Sequence, residues 1–581
     1  MNAIYDSRIL NLVIFSPLLV AALVAFLPKG EKGQIRAVTL LGMIANLLAC
    51  VWAWSRFEPR SAQEFQLDFR MEWLPELGLS YHVGVDGLAV ALVLLTGIMG
   101  PLVVLSSWTF IDERVKEFHL ALLVLQTAML GTLCAVDALV FYVFFEAMLV
   151  PMYLLIGVWG SEERQMAAMK FFLYTLVGSV LMLVALLAIY FMAAPAGARS
   201  FDYSTLYNGL WAANHELGLY VTANPAGDGA TLSPLAKSLF TYGPWLFLAF
   251  ALAFAIKVPM FPFHTWLPDA HVQAPVAGSM VLAGVMLKMG TYGFWRFAIP
   301  LFPVAARQYQ WMLAVLAVIG IVYGALMSLA QRDIKKLIAY SSVSHLGYCM
   351  LGMAAMTPEG ATGSAYQMLN HGVSTGALFL LFGFLYERRH ARLMSDYGGI
   401  AKVMPVYAAL FLVVTFSSVA VPGTNGFVGE FLVLLGTFKS DIKWGLGLGA
   451  VAGTGVILGA SYMLWMVQRV FFGRVTHQEN LGLKDLGFRE IAAAVPFVLL
   501  IVVMGLAPQP VLDVLNHSTA RFVARAKVGT SETEDERRVR VRVRTLPAPL
   551  AQRGPTEARP EPLLVQQQPL PAATDVRGHL P

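Results

Sequence analysis

The sequence predicts an all-α polytopic membrane protein with about fourteen transmembrane helices, and three observations carry that prediction. The chain of 581 residues is 57% apolar and only 13% charged, with a mean hydropathy of +0.64; soluble domains carry about 25% charged residues. Its apolar residues lie in continuous runs of about 18–25, the length that crosses a bilayer as a helix. Ten-residue alternations of the kind that build a membrane barrel are missing.

Taken in order, the runs fall at about 9–27, 35–54, 83–110, 118–136, 137–159, 167–192, 244–263, 274–297, 311–330, 337–356, 365–386, 404–428, 446–470 and 490–508. The first follows Asp6 and Arg8 and ends at Pro28-Lys29-Gly30 without a small-residue cleavage pattern, so it reads as a span and not as a removable signal. Basic residues gather after the odd-numbered runs: Lys29, Lys32 and Arg36; Arg114 and Lys116; Arg164 and Lys170; Arg332, Lys335 and Lys336; Arg388, Arg389, Arg392 and Lys402; Arg469, Arg474, Lys484 and Arg489. Positive loops face the cytoplasm, which predicts both termini on the outer side.

Two runs are interrupted. One breaks at Ala255-Ile256-Lys257-Val258-Pro259, followed by Pro262, and the other at Val421-Pro422-Gly423-Thr424-Asn425-Gly426. Proline removes a helical hydrogen bond, and the freed carbonyls need protein or water around them. The breaks fall in the seventh and twelfth runs. A matched pair of interruptions points to repeated halves with sites near the midplane, here helices 4–8 (118–297) and helices 9–13 (311–470). An odd number of helices per repeat inverts the second copy. The remaining parts are helices 1–3 (1–117) and helix 14 (490–508). Two ordinary proline kinks are the simpler alternative.

Outside the spans, 195–243 reads as a long polar loop whose Tyr203, Tyr207, Trp211 and Tyr220 suit a membrane surface. The tail 521–581, with eleven basic and seven acidic residues and the alternation Arg538-Val539-Arg540-Val541-Arg542-Val543-Arg544, is expected to be disordered. It accounts for most of the net charge of +5, so that charge gives no case for nucleic acid. Cys50, Cys134 and Cys349 stand far apart without metal or haem spacing, and the chain is expected to bind no cofactor of its own.

Ionisable residues inside the runs carry the chemistry. Glu146, Lys257, Lys288 and Glu430 lie deep in apolar stretches, with His345 and His371 in two others. A charge at the bilayer centre costs about 2.5–3.5 kcal/mol on the lenient scale, so the four acids and lysines alone would cost roughly 10 kcal/mol unless paired or hydrated. Pairing Glu146 with Lys257 would offset part of this and make a proton switch, and histidine is a natural relay near neutral pH. The competing reading makes each residue a buried tether between helices. Three further features read as structural: Gly447-Leu448-Gly449-Ala450-Val451-Ala452 as small-residue helix packing and not a dinucleotide site, Asp86 as interfacial, and Asp269-Ala270-His271 as a hydrogen-bonding turn.

The segment from Ala253 to Arg296 (AFAIKVPMFPFHTWLPDAHVQAPVAGSMVLAGVMLKMGTYGFWR) resembles the signature region of the antiporter-like subunits of respiratory complex I. FEAMLVPMYLLIG, DIKKLIAYSSVSHLG and PGTNGFVGEF match the same family, and the resemblance covers about residues 1–510. Glu430 resembles the M-type (chain 4) members, since L-like and N-like relatives usually carry lysine there. The resemblance implies an input pair of Glu146 and Lys257, a central relay of Lys288 and His345, a family histidine at His371 and a terminal station at Glu430. The helix breaks at Pro259, Pro422 and Gly423 are read from the residues themselves, and the expected place is a bacterial cytoplasmic membrane. The resemblance also implies partners: L-like and N-like antiporter subunits, small membrane subunits, and a peripheral arm holding FMN and iron–sulfur clusters, with the quinone likewise on partner subunits. The function expected is proton translocation driven by NADH:quinone oxidoreduction elsewhere in the complex; the alternative is a subunit of a sodium/proton antiporter or a membrane-bound hydrogenase.

Overall fold

The structure, a computed structural model, describes residues 8–195 and 197–528; the Arg-Val alternation and the rest of the tail lie outside the described residues. The chain opens with α1 (Ile9–Phe26) and α2 (Lys32–Arg56). An antiparallel ribbon follows, β1 (Gln66–Leu74) and β2 (Leu79–Val85), with Phe69 opposite Val83. Next come α3 (Gly87–Ser106), α4 (Val115–Cys134), α5 (Ala138–Trp159, interrupted at Met148) and α6 (Arg164–Ala193). Then follow α7 (Tyr203–Ala223), α8 (Pro234–Lys257), α9 (Trp266–Gln273) and α10 (276–301), the last containing two π-helical turns, Leu282–Met286 and Phe294–Ala298. The second half holds α11 (Pro303–Gln308), α12 (Gln310–Ala330), α13 (Ile334–Ala355), α14 (Pro358–Arg389) and α15 (Ile400–Val403). It ends with α16 (Pro405–Ser418), α17 (Asn425–Phe438), α18 (Gly445–Phe471), α19 (Phe488–Leu506) and α20 (Gln509–Ala526).

Among the described residues eleven helices are long and apolar enough to cross a membrane: α1 to α6, α8, α12, α14, α18 and α19. The three other expected runs map onto α10, α13 and the pair α16–α17, which are π-distorted, rich in serine, or broken. The whole apolar stretch of α14 is buried, whereas α1, α6 and α19 leave most of theirs uncovered. A helix hydrophobic all round belongs in the interior of a bundle, and helices with one bare apolar side face lipid.

Polar side chains start many of these helices by binding otherwise unpaired N–H groups. Asp137 accepts from Leu139 and Val140 at 2.9 and 3.1 Å, Asp202 from Ser204 and Thr205 at 3.0 and 3.2 Å, and Asp333 from Lys335 and Lys336 at 2.8 and 3.1 Å.

Several expectations need correction. The third run does not begin at 83: Leu79–Val85 is a strand, and the helix starts at Gly87, capped by Asp86 through Ala89 N at 2.8 Å. Asp86, read from the sequence as interfacial, is buried within the protein, in a 2.7 Å ion pair with the equally buried Arg296. Segment 195–243 is not a loop throughout. It contains α7, whose Tyr203, Leu206, Leu210 and Leu217 are buried at helical spacing, and α8 begins at Pro234, ten residues before the apolar run. Order also continues past 521. In α20, Leu515 and Phe522 face inward, Phe522 stacks on Trp295 at 4.1 Å, and Arg525 forms a two-pronged ion pair with Glu64 at 2.7 Å per contact. The reason is the same in both places: an amphipathic helix buries one stripe without a long apolar run.

Candidate functional site

Both breaks are present. α8 ends at Lys257 and the helix resumes at Trp266, with Val258, Pro259 and Pro262 between. The carbonyl of Ile256, freed by the break, accepts the Trp266 indole N–H at 2.9 Å, and Ala255 O accepts Met260 N at 2.8 Å. The second break runs from Val419 to Thr424, between α16 and α17. There Gly423 adopts φ +91°, a conformation that favours glycine over any residue with a Cβ, and Pro422 precedes it.

Lys257 sits on the last turn of α8, where the helix dipole favours a cation, and is buried. Its ammonium lies 4.0 Å from the centre of the Phe145 ring and makes no hydrogen bond. Glu146 is the next residue on α5, half-buried, in the turn before the interruption at Met148. The two charges lie within electrostatic range, but they form no ion pair within 4.0 Å. The direct pairing expected from the sequence is therefore replaced by a cation–π contact, because the same turn that carries the acid presents an aromatic face to the lysine.

Lys288 lies on α10 just beyond the first π turn and is fully buried. Its Nζ donates to Ala283 O within that turn and meets His371 Nδ1 at 2.7 Å. The His371 and His345 rings, on α14 and α13, lie 6.0 Å apart centre to centre. His345 Nδ1 contacts Glu430 Oε1 on α17 at 2.8 Å. Lys288, His371, His345 and Glu430 thus form one buried line, with His371 in the middle and not at its margin. Lys257 is not in contact with that line, but the end of its helix packs against α10, which carries Lys288. Gly290 packs so closely on the end of α8 that a Cβ there would lie 2.7 Å from Val258 N.

A small polar cavity opens between the two histidines and Glu430, lined also by Ser374, Ser417 and Ser418. It has room for about one water molecule. His371 Nε2 has no protein partner, and His345 Nε2 approaches Ser418 Oγ at 3.5 Å.

The structure adds residues that the sequence did not single out. Gln367 Nε2 donates to Glu430 Oε1 at 3.1 Å, and Asn370 donates to Gln367 Oε1 at 3.1 Å and to Asn425 O at 2.8 Å. Lys335 is buried with its ammonium on the carbonyls of Val272 and Ala274 at 3.3 and 2.6 Å. His271 is fully buried against Phe379 at 4.6 Å, with neither ring nitrogen bonded. The stretch expected to be a hydrogen-bonding turn is thus part of a helix, α9: its hydrogen bonds include those of the His271 carbonyl, which accepts from Ser279 Oγ at 3.1 Å, and of Asp269, which pairs with Lys170 at 2.7 Å. The only sequence signal for Gln367 is its spacing on one helix, three residues before Asn370 and four before His371. The glycine-rich start of α18 packs as expected in part: a Cβ at Gly449 would lie 2.9 Å from Phe438, while Gly447 faces open space. Among the described residues no group of three or more His, Cys, Asp or Glu side chains could hold a metal ion.

Residues 135–457 match the family model described as NADH:quinone oxidoreductase/Mrp antiporter, TM. NADH-quinone oxidoreductase subunit M of Rhodobacter capsulatus is 42% identical over 536 residues, covering 90% of this chain and 98% of the relative. NADH-ubiquinone oxidoreductase chain 4 of Marchantia polymorpha is 36% identical, covering 89% and 97%. A chain in the structure of respiratory complex I from Thermus thermophilus with bound NADH superposes with a TM-score of 0.76 at 34% identity, covering 90% of this chain and all of that one. A chain of the Mrp complex from Dietzia sp. DQ12-45-1b has the same fold, with a TM-score of 0.74 at 20% identity. A helical bundle broken twice, a buried lysine–histidine–glutamate line and this degree of identity lead to one conclusion: the chain belongs to the NADH:quinone oxidoreductase/Mrp antiporter membrane family, on the branch of NADH-quinone oxidoreductase subunit M.

Proposed function

We propose that this chain is the non-redox, proton-carrying subunit of a bacterial NADH:quinone oxidoreductase, and that Glu146, Lys257, Lys288, His371, His345 and Glu430 form its relay. The observation that carries the reading is the buried line from Lys288 Nζ through His371 to His345 and Glu430, with contacts of 2.7 and 2.8 Å at its two ends and a cavity the size of one water between the two histidines. The two nitrogens of an imidazole are distinct, and here they divide the work. His371 takes a proton from Lys288 on Nδ1 and releases it from Nε2 into the cavity. His345 receives on Nε2 and passes the proton from Nδ1 to Glu430 Oε1. Glu146 controls Lys257 through space, with the Phe145 ring stabilising the ammonium while the acid is charged.

The flavin, the iron–sulfur clusters and the quinone belong to partner subunits, since three cysteines are fewer than the four thiolates such a cluster usually needs. The partners are L-like and N-like antiporter subunits, small membrane subunits and a peripheral redox arm. The alternation of basic loops supports a place in the bacterial cytoplasmic membrane with both termini periplasmic. The matched breaks support two inverted five-helix repeats within fourteen spans.

The test is Lys257→Ala and Glu146→Ala in the assembled complex, reconstituted in vesicles. Proton uptake per NADH oxidised should collapse while the complex assembles at normal yield. Wild-type pumping in both variants, or failure of assembly alone, would leave these residues as tethers.

A further inference from the structure

Two side chains converge on a single oxygen of Glu430. His345 Nδ1 lies 2.8 Å and Gln367 Nε2 3.1 Å from the same Oε1. The orientation of the Gln367 amide follows from its other end. Asn370 Nδ2 donates to the backbone carbonyl of Asn425 at 2.8 Å, which identifies that atom as nitrogen, and its second hydrogen goes to Gln367 Oε1 at 3.1 Å. Gln367 therefore turns its acceptor to Asn370 and its donor to Glu430, and it cannot accept a proton from the acid. All three side chains are buried. Asn425 is the first residue after the second helix break, so the amide pair connects the break to the carboxylate. Gly429 makes room for the arrangement: a Cβ there would lie 2.4 Å from Gln367 Oε1 and 2.7 Å from Asn370 Nδ2.

We propose that Gln367, locked by Asn370 against the Asn425 carbonyl, is a positioning residue that holds Oε1 of Glu430 on His345. While the acid is charged, Oε1 is thereby kept on His345 to take the incoming proton; once protonated, Glu430 is neutral, its bond from Gln367 weakens, and the carboxyl group can turn to release the same proton. The idea rests on the relay proposed above. Gln367 is a fixed donor to the charged acid, and hydrogen bonds to charged groups are among the stronger ones in proteins. Replacing it by alanine frees the carboxylate to leave His345. Replacing it by glutamate keeps the size but sets a second acid where a donor stood, so a loss there cannot come from packing.

The experiment uses the whole complex in vesicles, with proton uptake measured per NADH oxidised and the carboxyl bands followed by infrared spectroscopy. Q367A and Q367E should each lower pumping by about tenfold or more, and the band assigned to Glu430 by its disappearance in E430Q should shift. G429A, which pushes the amide pair aside, should act in the same direction. In an E430Q background Q367A should change nothing further, because residues acting through one group are not additive. Wild-type pumping in both Gln367 variants would overturn the proposal, as would an equal loss with and without Glu430. Wild-type pumping in E430Q would instead remove the relay itself, a separate result.

Discussion

Raising the pH through about 9 should loosen the β-ribbon from the start of α7. His82 on β2 bridges Asp202, the cap of α7, on one ring nitrogen, and Asp68 of β1 at 2.5 Å on the other. Its side chain is 10% exposed. Burial works against the charged imidazole, but the hydrogen bonds and charges of Asp202 and Asp68 outweigh it, and the pKa is pushed up from 6.5 to about 9. Asp202 is correspondingly held below the usual carboxylate range despite its burial, by its contacts with His82. A rise of that size is worth about 3 kcal/mol at about 1.4 kcal/mol per tenfold. The folded state binds the proton more tightly, so the stabilisation is complete below pH 6.5 and is lost as pH climbs through about 9. Hydrogen exchange of the amides of 79–85 and 203–206 in the assembled complex, corrected for intrinsic rates, should report it. Protection should fall about a hundredfold between pH 7 and 10, while the interior of α14 keeps its protection. His82→Gln should show the low value already at pH 7 and no slope. A flat profile in the wild type, or the same slope in the variant, would refute the reasoning.

Two further perturbations test how the outer elements are held. Asp86→Ala leaves Arg296 buried without its partner, which should cost about 3–5 kcal/mol and appear as a lower melting temperature of the complex. Phe522→Ala removes the ring stacked on Trp295 and should cost about 3–5 kcal/mol of docking for α20. Limited proteolysis would then cut near Arg521 in the variant and not in the parent.

How much of this was legible in the sequence depended on whether a residue's meaning was local. The spans, the breaks at Pro259 and Pro422 and the buried ionisable groups could be read because length, proline and charge in an apolar run each carry their own physics. Helices α7 and α20 escaped because their buried residues recur every three or four positions among polar ones, as Tyr203, Leu206 and Leu210 do, and a search for long runs passes over such stripes. The burial of Asp86 depends on Arg296, far along the chain, and nothing near either residue announces the other. The order of the buried line was also hidden. Which histidine meets Lys288 is set by how α14 packs against α10, and only the assembled bundle decides that.

The π turn at Leu282–Met286 has a consequence for that order. A single surplus residue in a helix rotates everything after it by about 100°. Lys288 points at His371 because the helix ahead of it is wound one residue loose, and a regularly wound α10 would aim a different side chain at the histidine. The first contact of the line is therefore governed as much by the winding of the backbone as by the chemistry of the groups that meet there.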